Sequence, residues 1–203
     1  MFSNINIDLR QEPFNTTYLQ RILRVIDNAT ADHARTMAVR VDLRLPDDIL
    51  ITRQNLISHF IESINAKITA RYNSKLKQGK RSYTSRQRYA WVREVGEISH
   101  KSHYHMVLFF NNDTFNSLGS YGEDGTGLAF MIRGAWLSAL QLSLQPEYRT
   151  LAHFPDNPLY YLDVNSVGYR EVYDQLTFRL SYFAKERTKS YSRDERSFGC
   201  SQS

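Results

Sequence analysis

A chain of 203 residues is long enough to bury a core of its own, and 41% hydrophobic, 23% charged and 13% aromatic residues place it among globular rather than disordered proteins. A formal net charge of +5 and a pI near 9.3 favour a polyanionic partner, nucleic acid ahead of a membrane surface. The lone cysteine, Cys200, excludes an internal disulfide and a cysteine-rich zinc site. No apolar run approaches the roughly 18 residues of a membrane span. The opening MFSNINIDLRQ lacks a basic-then-apolar leader, so a cytoplasmic protein is expected.

In chain order, Asn15 or Thr16 can cap a first helix whose apolar stripe is Leu19, Ile22, Leu23 and Ile26. TMAVRVDLRLP alternates Met37, Val39, Val41 and Leu43 with Arg40, Asp42 and Arg44, which predicts a strand ended by Pro46. A long amphipathic helix is expected after Thr52, carrying Leu56, Phe60, Ile61, Ile64 and Ile68. Residues 75–93 are basic and free of acids: Lys75, Lys77, Lys80, Arg81, Arg86, Arg88 and Arg93, interleaved with Tyr83, Tyr89 and Trp91. Such a stretch is either a solvated loop or a phosphate-contacting arm with stacking residues.

RYAWVREV and HYHMVLFF read as two strands of a hairpin joined by GEISHKS. A helix over residues 128–144 follows, then an irregular proline-containing stretch over 145–158, a strand at LYYLDV, a last helix over 171–185 and a polar, basic tail. The pattern predicts an α+β class with a largely antiparallel sheet. An N-terminal helical element over residues 1–34 would precede the main domain at 35–203, within one globular unit.

His103 and His105 stand two apart in a predicted strand, so both imidazoles share one face and Tyr104 takes the other. Neutral imidazoles paired in this way suit a divalent metal and leave coordination positions for water and a phosphate oxygen. Glu94 is the first choice of third ligand, because the hairpin puts it opposite His103. Glu97, inside the loop, and Asp42, on the first strand, are alternatives. A carboxylate with two imidazoles suits Mg²⁺ or Mn²⁺. His100 is a loop residue, and His33, His59 and His153 receive no role.

In the last helix, Val172, Leu176, Leu180 and Phe183 form the apolar stripe. At 100° per residue, Tyr182 lies about 120° from Leu176, and Lys185 falls on the far side from the core. The i,i+3 relation sets Tyr182 beside Lys185. A tyrosine near a cation or metal is a candidate nucleophile. Tyr173 faces away from Tyr182 on the same helix, and Tyr191 in the tail is its nearest rival.

His103-Tyr104-His105 followed by an apolar strand resembles the His-hydrophobic-His motif of the HUH endonucleases, the rolling-circle initiators and relaxases. Tyr182-Phe183-Ala184-Lys185 resembles their Tyr-x-x-Lys nucleophile motif. VDLRLP, VREVG…SHYHMVLFFN, RGAWLSAL, FPDNPLYYLD, LSYFAKERTK and RSFGCS are together similar to prophage-borne relatives of filamentous-phage gene II replication proteins. The resemblance implies a central antiparallel sheet with flanking helices, a ferredoxin-like core, and nicking of single-stranded or locally melted origin DNA through a 5′-phosphotyrosine. It implies His103 and His105 as metal ligands, Tyr182 as nucleophile and Lys185 as its cationic partner. One matching tyrosine gives no support to a two-tyrosine mechanism.

On this reading the basic arm (Lys75, Lys77, Lys80, Arg81, Arg86 and Arg88) and the tail residues Lys189, Arg193 and Arg196 hold the DNA backbone. The alternative is a non-catalytic DNA-binding regulator or accessory factor of the same fold. Two-histidine phosphoesterases are excluded, because the residues two beyond His103 and His105 are His105 and Val107 rather than Ser or Thr.

Overall fold

A computed structural model describes residues 5–96, 101–120, 127–187 and 196–202. Asn15 caps the first helix, its side chain accepting from the Tyr18 N–H at 3.0 Å. That helix, α1, is Thr16–Asp32. The alternating segment forms β1, Arg35–Arg44. The second helix, α2 (Leu56–Lys77), starts later than the Thr52 signal suggested, because Asn55 adopts a left-handed φ of 53° at its N-cap. The hairpin strands are β2, Arg88–Val95, and β3, Ser102–Asn111. α3, Leu128–Leu140, stops short of residue 144 because Gln141 turns left-handed at φ 64°.

The stretch expected to be irregular holds a 3-10 turn, Pro146–Leu151, and a two-residue strand, β4, Ala152–His153. β5 (Leu159–Asp163) and α4 (Tyr169–Ser181) follow. α4 ends four residues before Lys185 and gives way to a 3-10 turn over Tyr182–Ala184. A short strand missed in the sequence, β6 (Phe198–Cys200), closes the sheet. Gly199 lies flat on Trp91 there, and a Cβ would stand 2.6 Å from the indole, so only glycine fits.

The sheet is six-stranded and wholly antiparallel in its pairings, in the order β4-β1-β3-β2-β6, with β5 pairing β1 as well. Helices flank both faces, and the chain is α+β. One face is mostly apolar, with the buried Arg93 beside Tyr104 as its charged exception. Met37, Val39, Val41 and Leu43 from β1 and Met106, Leu108 and Phe110 from β3 pack there against α2 and α3. On the other face, Ala38, Ala90, Val92, Val107 and Phe109 lie under α1 and α4. Ile22, Val25, Ile26 and Ala29 of α1 share this core with Leu176 and Leu180 of α4, so the N-terminal helix is part of the same packed unit.

At the α1 end of this layer, Arg88 is buried and its Nε donates to Asp32 Oδ2 at 2.7 Å. Arg88 also donates to the Gln202 carbonyl. The hydrogen bond from Arg88 holds the Asp32 carboxyl below its ordinary value, against the opposing effect of burial. Asp32→Asn is expected to lower unfolding free energy by about 1–3 kcal/mol at neutral pH, as a buried guanidinium loses its carboxylate. A depressed carboxyl stabilises above its unfolded pKa and stops doing so as pH falls through the folded value. Chemical denaturation should therefore show wild type and variant converging below about pH 3.9.

Candidate active site

On the α1/α4 face, the apolar pattern gives way to charge where β1 and β2 end and β3 begins. The register pairs Glu94 with His103, as the hairpin predicted, and sets His105 between Asp42 on one side and Val92 on the other. Glu94, His103 and His105 each offer one donor atom, and these lie within 4.8 Å of one another. Glu94 is almost fully buried, at 3% exposure. Its Oε2 stands 3.3 Å from His105 Nε2 and 3.9 Å from His103 Nε2.

Asp42 holds His105 from behind. Its Oδ1 lies 2.6 Å from His105 Nδ1, closer than the 3.0 Å from Arg40 Nη2 to the same nitrogen, and since a carboxylate only accepts, the shorter contact assigns the proton to Nδ1. Arg40 donates to the same Oδ1 at 2.7 Å and stacks its guanidinium 4.8 Å from the centre of the Phe183 ring. Burial alone would raise the Asp42 carboxyl. The His105 hydrogen bond and the Arg40 charge outweigh it and hold Asp42 well below the ordinary carboxylate range. Asp42, weighed above as a ligand, thus orients one instead. His103 is held below its ordinary value by burial and by His105, which favours the neutral imidazole.

With Nδ1 protonated, His105 Nε2 carries a lone pair, is buried and makes no hydrogen bond. It faces a carboxylate oxygen. Two acceptors at that range repel unless a proton or a metal cation lies between them. Adjacent ligands of an octahedral ion bound at about 2.1 Å stand roughly 3 Å apart, so the 3.3 Å His105–Glu94 contact suits a divalent cation and His103, at 3.9 Å from the same oxygen, would have to draw in.

Tyr182 meets the same carboxylate from α4's side, its hydroxyl donating to Glu94 Oε2 at 3.1 Å. Its ring lies edge-on to His105 at 5.4 Å. Burial first, then the Glu94 charge and hydrogen bond, raise the Tyr182 phenol above its ordinary value. Lys185 was placed on the far side of a helix, and the structure corrects this. Lys185 is buried, its Nζ 3.5 Å from the Tyr182 ring centre and 3.5 Å from Glu94 Oε1. The cause is the end of the helix: α4 stops at Ser181 and Lys185 is extended (ψ 137°) and bridged to Phe14, so helical periodicity no longer sets the direction of its side chain. Tyr173 donates instead to Asp27 on α1 at 3.1 Å.

The basic residues separate. Lys75 and Lys77 end α2, and Lys80, Arg81 and Arg86 lie on the connection to β2, all but Lys75 exposed. That connection is tied to the far end of the sheet, where Asn111 N–H donates to Ser85 Oγ at 2.9 Å. From His103 to Asn111 is eight residues of β3, roughly 27 Å. The arm is therefore at the opposite end of the sheet from the histidines. Arg88 is committed to Asp32, which removes it from any surface, and Arg86 lies 3.8 Å from the same carboxylate. Arg196 is exposed, just before the edge strand that runs beside β2. Lys189, Arg193, Tyr191, Glu97 and His100 lie outside the described residues. Arg40 was missed as a site residue, and its signal was the charged side of β1's alternation.

Fold and site together define an α+β protein with an antiparallel sheet and a partly buried two-histidine, one-carboxylate cluster beside a tyrosine and a lysine. Residues 2–201 match the family described as YagK/YfjJ C-terminal domain, and the chain belongs to that family. It is 38% identical over 194 residues to the uncharacterized protein YagK of Escherichia coli (strain K12), covering 91% of this chain and 92% of that one. It is 34% identical over 200 residues to the uncharacterized protein YfjJ of the same strain, covering 91% and 93%. No solved structure matches the chain.

Proposed function

We propose that the chain is a metal-dependent, HUH-type single-strand DNA endonuclease that nicks an origin to start replication of a phage or other mobile element. The observation that carries this reading is the meeting of Tyr182 with the metal-type cluster. The phenol hydroxyl is 3.1 Å from the Glu94 oxygen that also faces both histidines. Both histidines on a central strand of an antiparallel sheet support the ferredoxin-like, HUH-type architecture.

His103, His105 and Glu94 would hold Mg²⁺ or Mn²⁺, which supplies Lewis-acid polarisation of a phosphate oxygen and positive charge beside a half-buried phenol. Asp42 keeps His105 in the tautomer that presents Nε2. Tyr182 loses its proton along the hydrogen bond to Glu94 as its oxygen bonds to phosphorus. The P–O3′ bond breaks, and the leaving oxygen takes up a proton and departs as a 3′ hydroxyl. The 5′ phosphate stays on the tyrosine. Lys185, beside both the ring and Glu94, offsets the negative charge that develops.

Metal titration by calorimetry should show Mn²⁺ binding that His105→Ala abolishes. Asp42→Asn, which frees the ring to adopt the other tautomer, should weaken it by about 10- to 100-fold. Wild-type affinity in Asp42→Asn would remove Asp42's orienting role.

Incubation with Mn²⁺ and a randomised single-stranded oligonucleotide pool should leave a covalent adduct that resists denaturing electrophoresis. Tyr182→Phe should abolish it and His103→Ala reduce it at least 100-fold. An adduct that survives Tyr182→Phe overturns the nucleophile. DNA binding without any adduct, indifferent to His103→Ala, would instead identify a non-catalytic DNA-binding regulator.

A further inference from the structure

Beside the site, a cleft of about 990 Å³ opens between β5, α4 and residues 6–8. Arg40, His105 and Tyr182 line it, so its contents and a phosphate at Tyr182 would be neighbours. Its walls carry aromatic rings: Tyr160 from β5, Phe178 and Tyr182 from the α4 side. Phe178 is unusually open for a large apolar side chain, at 37% exposure. The exposed Arg10 reaches over the Phe178 ring, its guanidinium 5.9 Å from the ring centre, and a stacking base would take that place.

The α4 wall is ordered. Val172, Gln175, Phe178, Arg179 and Tyr182 recur at helical spacing and share one side. Phe178 precedes Tyr182 by four residues, which is about one turn and roughly 6 Å along the axis. The base attached next to a phosphate at Tyr182 is within reach of that ring. Arg179 is clamped in place, its guanidinium donating to the Asp156 and Asn157 carbonyls at 2.8 and 2.9 Å and to the Tyr160 hydroxyl at 3.2 Å. The single acid among the lining residues, Asp8, is engaged by Arg10 at 2.6 Å and so does not oppose an anion.

From this we infer that the cleft is a subsite for unpaired nucleotides next to the phosphate cut at Tyr182, with one base stacked on Phe178. The inference rests on the nicking reading for the phosphate's position. A base stacks on a protein ring only with its face exposed, so the occupant is single-stranded: in a duplex both faces are covered by neighbouring pairs. Base–aromatic stacking is sequence-tolerant, since every base has a π-face. The subsite therefore holds the strand in place and leaves sequence choice to other contacts.

The test is fluorescence anisotropy with a labelled dT12 oligonucleotide in EDTA, where no cutting intervenes. Phe178→Ala should bind about tenfold more weakly than wild type. Phe178→Leu, which keeps apolar bulk without a ring, should be weakened similarly, and Phe178→Trp should bind at least as well as wild type. A dA–dT duplex of the same length should bind all four proteins alike. Unchanged dT12 affinity in both Phe178→Ala and Phe178→Leu overturns the subsite, as does a loss in Leu that extends equally to the duplex. Melting temperatures of the variants verify folding, and if Phe178→Ala fails to fold, Phe178→Leu and Phe178→Trp decide. The two readings fail separately. An adduct in Mn²⁺ with ring-independent binding sinks the subsite alone, and ring-dependent binding without an adduct sinks the nicking reading alone.

Discussion

A buried carboxylate organises this end of the molecule. Glu94 is 3% exposed, and moving an ionised carboxylate out of water costs several kcal/mol unless partners replace its hydration. The partners come from separate parts of the chain. His103 and His105 arrive on the neighbouring strand, and Tyr182 and Lys185 on the turn that closes α4. The turn matters because it ends the helix before Lys185, which is extended and bridged to Phe14, and the Tyr182 and Lys185 side chains both lie over Glu94.

The site also depends on a division of labour between the sheet's faces. One face is mostly apolar and anchors α2 and α3. The other is apolar only where α1 and α4 cover it, and the same strands then present Arg40, Asp42, Glu94, His103 and His105. Since alternate residues point the same way, each strand needs only a change of residue type along one face to pass from core to site. Rigid, hydrogen-bonded strands hold these donors more closely than loops would.

This explains what could be read from the sequence and what could not. Alternation at Met37, Val39, Val41 and Leu43 marked β1, and the short GEISHKS loop set a hairpin register in which Glu94 faces His103. Both are local signals. The pairing of Asp42 with His105 is not, because β1 and β3 are joined through α2 and β2, and nothing in the spacing shows which carboxylate meets which imidazole. The buried Lys185 was misplaced for a different reason. Helical periodicity assumes a uniform 3.6-residue turn, and the last turn is not uniform. Arg88 read as part of a basic run, whereas its partner Asp32 lies on α1, and charge counting along a sequence cannot see such a pair.

Removing Arg88 from the basic run changes what the remaining cations can do. Lys77, Lys80 and Arg81 stay exposed, at the end of the sheet remote from Glu94. On the proposed function, they cannot neutralise the phosphate that Tyr182 attacks, since screening over roughly 27 Å at physiological ionic strength, where the Debye length is about 8 Å, leaves little of their field. On that same reading, charge at the reacting phosphate would come from groups in contact with it, namely Lys185, Arg40 and a metal held by the histidines. The distant cations would act on a different stretch of the same polyanion. They would strengthen binding and its salt dependence without entering the chemistry, which would make affinity for DNA and the rate of cutting separable properties.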